Sequence, residues 1–286
     1  QIGAVLDSLV FAAVLFAAAC HAGWNAAIKI GSDTVSVTAL IAVGAGIVGV
    51  AMLPFAGLPL AAAWPWVAAS VVIHLFYFIG LSEGYRVGDL GQVYPLARGT
   101  APLMTATLSV PLVGEALGPL GWGGIIALAG GVLLLSARGG RALARFDAHA
   151  TGLALFTAIT ICAYSLVDGI GARLAGSANA YTACLFIGNG VVLAAYAMVR
   201  LRGKVFAAMA PYWATGLAGG GLQFVSYGIA IWAMTVAPIA IVAALRETSV
   251  LFGTALAVVF LKEPLRPVRI AAAVMMVSGL LMIRLR

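Results

Sequence analysis

From residue 34 to residue 54 the chain reads TVSVTALIAVGAGIVGVAMLP without one charged side chain, and stretches like it follow one another almost end to end. Each comes close to the roughly 20 residues an α-helix needs to cross a hydrocarbon core of about 30 Å. Backbone in lipid must satisfy its own hydrogen bonds, so such runs become helices or a closed barrel. A barrel would alternate apolar and polar residues in segments of about 10, and no such alternation is present. Only 9% of the 286 residues are charged, against about a quarter in soluble domains. That leaves too little charge for a water-facing surface, so the pattern predicts an all-α membrane protein.

Breaks at charge clusters and at Gly or Pro turns divide the chain into ten transmembrane helices, near 4–29, 34–54, 64–86, 90–113, 118–137, 149–173, 178–200, 211–234, 238–261 and 266–284. The longest polar connection, ARGGRALARFDAH at 137–149, separates residues 1–140 from 141–286, five helices on each side. Sliding one half along the other by 148 residues lays YPLARGTAPLM on VAALRETSVLF, with Arg98 on Arg246 and Thr100 on Thr248. The same shift pairs Glu115 with Glu263, Pro119 with Pro267, Gly80 with Gly228 and Gly131 with Gly279. A shift of 140 lays LFAAACHAGWN on LFTAITICAYS, which brings Trp24 onto Tyr164 and Asn25 onto Ser165. An odd number of helices per repeat forces the second copy to insert upside down. The expectation is two inverted five-helix repeats, the build of many secondary transporters, with a site near mid-bilayer between them.

The net charge of +7 does not indicate a nucleic-acid partner, because the basic residues sit in the connections, where they act as topology determinants. One side collects Lys29, Arg86, Arg138, Arg141, Arg145, Arg200, Arg202, Lys204, Lys262, Arg266 and Arg269, and the other Arg173, Arg284 and Arg286. On the positive-inside rule both termini lie outside. The first apolar run lacks a basic n-region and a clear cleavage pattern, so it is expected to be a helix rather than a signal peptide. Cys20, Cys162 and Cys184 lie in apolar runs without metal-ligand spacing and suit small core residues.

No cofactor or metal is expected. GAGIVG at 44–49 matches GxGxxG, yet it lies inside a span and has no acidic residue from 63 to 73. Its glycines suit close helix contact, as do Gly216 and Gly220. The chain has no GxxxxGK[ST] loop, and its three histidines form no ligand pattern. No Ser or Cys pairs recognisably with a base, so the chain is not expected to be an enzyme; a membrane-embedded enzyme is the weakest alternative.

Ionisable residues within spans are costly and face a cavity or a partner. His21, His74, Glu83, Arg98, Asp168, Arg246 and Glu247 are the candidates. Arg98 is expected to pair with Glu83 or Glu247, or to meet substrate. Pro95 and Pro102 are expected to kink or break the fourth helix beside it. His74 and Tyr77 share a helix face, as do Tyr94 and Arg98. The third helix of the second half offers Gln223, Ser226, Tyr227 and Trp232. Such aromatics with polar handles suit an amphipathic or aromatic solute.

The segments HAGWNAAIK, GLSEGYRVGDLGQVYPLARGTAP, GEALGPLGWGGIIALAGGVLLL and AYSLVDGIGARLAG, set in ten spans, resemble the drug/metabolite transporter superfamily and its EamA-type ten-helix branch. Within that branch the chain is similar to the aromatic amino-acid exporters of the bacterial inner membrane. The resemblance implies a multi-pass protein of the bacterial cytoplasmic membrane whose helices three, four, eight and nine line a central cavity; a monomer is favoured, with the oligomeric state open. Carried onto this chain, the lining is His74, Tyr77 and Tyr94 with Gln223, Tyr227, Arg246 and Ser249, and Arg98 or Arg246 would meet a carboxylate. The resemblance usually puts both termini in the cytoplasm, against the loop charges. The expected function is alternating-access export of aromatic or neutral amino acids; the alternative is a nucleotide-sugar or sugar-phosphate carrier, which would require at least one uncompensated cation in the cavity. His74, Glu83 and Asp168 are candidates for proton coupling, with passive exchange equally open.

Overall fold

In the computed structural model the apolar runs form helices that differ by only a few residues from those expected. It describes residues 6–28, 34–87, 90–139, 148–202, 204–262 and 266–286. The helices are α1 (Ser8–Ile28), α2 (Thr34–Ala56), α3 (Trp64–Val87), α4 (Leu90–Val113), α5 (Pro119–Gly139), α6 (Ala148–Leu174), α7 (Ala178–Leu201), the short α8 (Val205–Met209), α9 (Trp213–Val236), α10 (Ile239–Arg246), α11 (Ser249–Leu261) and α12 (Pro267–Arg284). Eight spans are long and apolar enough to cross a membrane, the one at 239–256 running through α10 into α11; Pro119–Leu135 is a shorter apolar helix, and α4, with Gln92, Arg98 and its Thr and Ser residues, completes ten. This is a multi-pass all-α membrane protein. Glu263, Lys29, Arg141 and Arg145 lie outside the described residues.

The fourth and ninth spans depart from expectation. Despite Pro95, Pro102 and Pro111 within it, α4 is one continuous helix. The ninth span has no proline past its first residue, and it is the one that breaks. Amides of Glu247 and Thr248 turn back to the carbonyls of Ala244 and Leu245, three residues behind instead of four, a tight 3₁₀-type turn. Thr248 Oγ1 also donates to the Leu245 carbonyl at 2.7 Å, which competes with continuation of the α-helix.

Small residues set the closest helix approaches. A Cβ on Gly220 of α9 would lie 2.5 Å from the Ala45 nitrogen of α2, and one on Gly124 of α5 would lie 2.8 Å from the Gly279 carbonyl of α12. The glycines of GAGIVG therefore seat a helix, as small-residue seams do in membranes. Packing between the halves is reciprocal: α3 lies on α6 and α1 on α9, while α2 meets α7 and α5 meets α12.

The start of α1 and the end of α12 share one face, where Arg284 reaches the Leu6 carbonyl at 2.5 Å and Ser8 Oγ at 2.6 Å. A charged clamp closes the core there. Gly114, at φ +73°, ends α4 in the left-handed cap that glycine favours, and Glu115 follows. The buried Glu115 carboxylate accepts from the first amides of α10, Ile239 at 2.6 Å and Ala240 at 3.2 Å, where the helix dipole favours an anion. Arg173 of α6 pairs with Glu115 at 3.0 Å and donates to the Met234 and Ala237 carbonyls at 2.9 and 3.1 Å.

Replacing Glu115 with Ala is therefore expected to lower stability by about 1–2 kcal/mol, the size of a lost helix cap, in detergent-unfolding titrations. Glu115→Gln, which still accepts through one oxygen, should recover part of the loss. An unchanged unfolding midpoint in the Ala variant would remove the clamp from the forces holding this face.

Candidate functional site

Buried side chains from six spans meet near mid-membrane around one cavity. Its wall is His21 and Trp24 of α1, His74, Tyr77 and Phe78 of α3, Tyr164 of α6, Phe186 of α7, Gln223 and Tyr227 of α9, and Arg246 of α10. The space open to water centres is about 30 Å³, enough for a few waters and too little for a solute carrying a ring.

Rings fill the remainder. His74 stacks on Tyr164 with centroids 4.4 Å apart, Tyr227 meets both edge-on at 5.7 and 5.9 Å, and Tyr77 stands edge-on to Tyr164 at 5.6 Å. His74 Nδ1 lies 2.9 Å from the Ser70 carbonyl. A carbonyl only accepts, so this contact places a proton on Nδ1. Trp24 Nε1 donates to His21 Nδ1 at 3.2 Å, which puts the His21 proton on Nε2.

Four charges lie within this core, and their partners differ. Arg98 Nε approaches Glu247 Oε2 to 2.8 Å, with both side chains nearly inaccessible. The approach lies off the line a hydrogen bond requires, which leaves both atoms without hydrogen-bonded partners. Charge alone holds this contact, and the distance makes it an ion pair. Arg98 Nη2 also donates to Ser249 Oγ at 3.3 Å, and its guanidinium lies 5.9 Å from the Tyr94 ring. Asp168, fully buried, accepts from Tyr181 at 2.9 Å and from Tyr227 in a short hydrogen bond. Arg246 lies 4.5 Å over the Tyr227 ring, a cation–π contact. Among the described residues no carboxylate pairs with Arg246.

The residues expected from sequence thus separate into three groups. His74, Tyr77, Gln223, Tyr227 and Arg246 form the cavity wall. Tyr94, Arg98 and Ser249 stand behind it, around Glu247. Glu83 lies at the end of α3 away from the termini and pairs with Arg86 at 2.7 Å and more loosely with Arg200 at 3.8 Å. Helices one, six and seven also contribute, through Trp24, Tyr164 and Phe186. The repeat had already aligned Trp24 with Tyr164, a signal that both rings serve one layer; nothing in the sequence marked Phe186.

Residues 8–137 match the EamA-like transporter family. A search among curated protein sequences finds no match. The fold resembles that of a solved crystal structure, with a TM-score of 0.71 over 96% of this chain and 95% of that one at 20% identity, so the likeness extends to the fold and the family match to the first five spans.

Proposed function

We propose that the chain is an EamA-type secondary transporter along its whole length, in which two inverted repeats, 1–140 and 141–286, alternate access to the central cavity. The family match ends at residue 137, next to the expected repeat boundary, and the reciprocal packing of α3 on α6 and α1 on α9 supports the symmetry. The proposed cargo is an aromatic or neutral amino acid, exported across a bacterial inner membrane.

One observation carries the substrate reading. Arg246 is a buried cation with no carboxylate partner among the described residues, set in a wall of aromatic rings. A guanidinium there suits a carboxylate, whose two oxygens match its planar fork, and the rings suit an apolar body. With Arg98 paired to Glu247 and Asp168 held by two tyrosines, Arg246 is the cavity-wall cation without a carboxylate in salt-bridge reach among the described residues; the buried Asp168 beside it favours a substrate that brings little net negative charge, such as a zwitterion, over the phosphates of sugar phosphates or nucleotide sugars. His74 and Asp168 are the groups proposed for proton coupling, since each is buried beside the cavity and linked through Tyr227; Glu83, paired near the membrane face, is not needed for it.

In liposomes, labelled tryptophan and phenylalanine should move faster than threonine, and UDP-sugars should stay at the background of protein-free vesicles. If no amino acid exceeds that background, the exporter reading is abandoned. Arg246→Gln should lower amino-acid flux at least tenfold, the effect of losing one charge-assisted hydrogen bond of about 1.5–3 kcal/mol, while the protein stays monodisperse.

The pair behind the wall should act differently. Glu247→Ala strands a buried cation and should cost about 3–5 kcal/mol of stability, whereas an Arg98→Met, Glu247→Met double variant should come out near neutral, as read by detergent unfolding. A double variant as unstable as the single one would mean that Arg98 or Glu247 has a role beyond mutual neutralisation. An imposed pH gradient separates the coupling modes: uphill amino-acid movement that disappears in Asp168→Asn supports proton coupling, and its absence in the parent protein means passive exchange.

A further inference from the structure

Gln223 stands out among the cavity residues because its side chain makes no hydrogen bond to the described protein. Its Oε1 is buried and unpartnered, although it sits on the cavity wall. An orphaned buried carbonyl forgoes a net contribution of about 1 kcal/mol and bears a desolvation penalty of about 1–3 kcal/mol, so an unpartnered acceptor on a cavity-wall residue suits a donor that arrives with a ligand. Its neighbours on α9 find partners: Ser226, three residues along, donates to the Ala17 carbonyl at 2.8 Å, and Tyr227 is held by Asp168.

We propose that Gln223 is the amine-reading residue of this site and that, with Arg246, it makes the cavity selective for zwitterions. The proposal rests on the amino-acid reading above. Gln223 and Tyr227 are four apart on α9 and so lie on one face, with Cβ atoms about 5–6 Å apart. Arg246 lies over that same Tyr227 ring. A carboxylate at Arg246 would thus sit by Tyr227, whose helix face also carries Gln223, with its α-ammonium on the adjacent carbon free to turn toward that side chain. The flanking surfaces favour a cation as well, because Trp24, Tyr164 and Tyr227 present ring faces or edges to the cavity and aromatic faces attract ammonium groups. Donors for the carboxylate already come from Arg246, and the amide oxygen of Gln223 is a cavity-wall acceptor with no protein donor of its own. A solute with only a carboxylate leaves that oxygen orphaned, and one with only an amine leaves Arg246 unpaired. A site built to bond a substrate N–H discriminates strongly against analogues without it.

The test is binding to the purified full-length protein in detergent, by thermal-shift titration with phenylalanine, 3-phenylpropanoate and phenethylamine; a bound ligand raises the melting temperature according to its concentration relative to Kd. The parent protein should bind phenylalanine at least tenfold more tightly than either analogue. Gln223→Met should weaken phenylalanine by about tenfold to a hundredfold, as expected for a lost hydrogen bond to a charged group, and leave 3-phenylpropanoate unchanged. Gln223→Glu, which keeps the acceptor and adds charge, should retain phenylalanine and bind phenethylamine more tightly. Equal weakening of phenylalanine and 3-phenylpropanoate in Gln223→Met overturns the proposal, as does loss of phenylalanine binding in Gln223→Glu, because either result makes the amide a carboxylate donor or a structural group. Should Gln223→Met not fold, the Gln223→Glu comparison decides alone. If the parent protein binds none of the three, the amino-acid reading falls and takes this proposal with it; if it binds phenylalanine but the variants do not discriminate, only the role of Gln223 is overturned.

Discussion

Arg98 can sit in the middle of a membrane because Glu247 meets it there, and Glu247 can meet it because the ninth span breaks. An isolated arginine at the bilayer centre costs about 2.5–3.5 kcal/mol on insertion scales and more by simulation. Neutralisation at 2.8 Å removes most of the reason for that charge to seek water. Successive residues on a helix point about 100° apart, so neighbours Arg246 and Glu247 face different partners across the tight turn at 247–248. Glu247 turns to α4 and Arg246 turns to Tyr227 of α9. One local break thus sorts two arginines into a cancelled charge behind the wall and an available one on it.

A break in lipid also exposes backbone groups that only protein can satisfy, and a second junction, between α9 and α10, has the same need. Glu115 supplies the anion for the amides of α10 and Arg173 supplies donors for the carbonyls ending α9. Glu115 comes from the first half of the chain, and the groups bonded to its carboxylate, Arg173, Ile239 and Ala240, belong to the second. The termini face is therefore held by one carboxylate reaching across the halves, while the fully buried α10 packs against α1, α4, α5, α6 and α9 behind it. Relative movement of the halves has to break this contact or carry it along intact.

Most of the fold was legible because lipid imposes one strong rule: a run of about 20 apolar residues becomes a helix. The turn in the ninth span went unmarked because proline is a local signal and burial is not. Three prolines leave α4 continuous, since neighbours in a packed membrane bundle compensate the missing amides, whereas Glu247 and Thr248 break their span through a distant ion pair and a side-chain bond to Leu245. The same limit applies to the site. His74, Tyr77, Gln223, Tyr227 and Arg246 carried polar or aromatic signals at helical spacing. Phe186 carried none, because a phenylalanine in an apolar helix looks the same whether it faces lipid or a cavity. Glu83 looked buried by its place in the chain, but Arg86 one turn on draws it to the membrane face.

The cavity is small because its own rings occupy the space a substrate would need. His74 against Tyr164 and Tyr227 against both form contacts of the kind worth about 0.5–1.5 kcal/mol each beyond area burial. A solute that parts these rings must restore comparable contacts or lose their stabilisation. A flat aromatic side chain can do so by taking one ring's place in the stack, whereas a small aliphatic one cannot. Selectivity for aromatic solutes would then arise from the cost of opening the cavity rather than from a preformed ring-shaped slot, with the polar contacts of Arg246 and Gln223 deciding which end of the solute lies where.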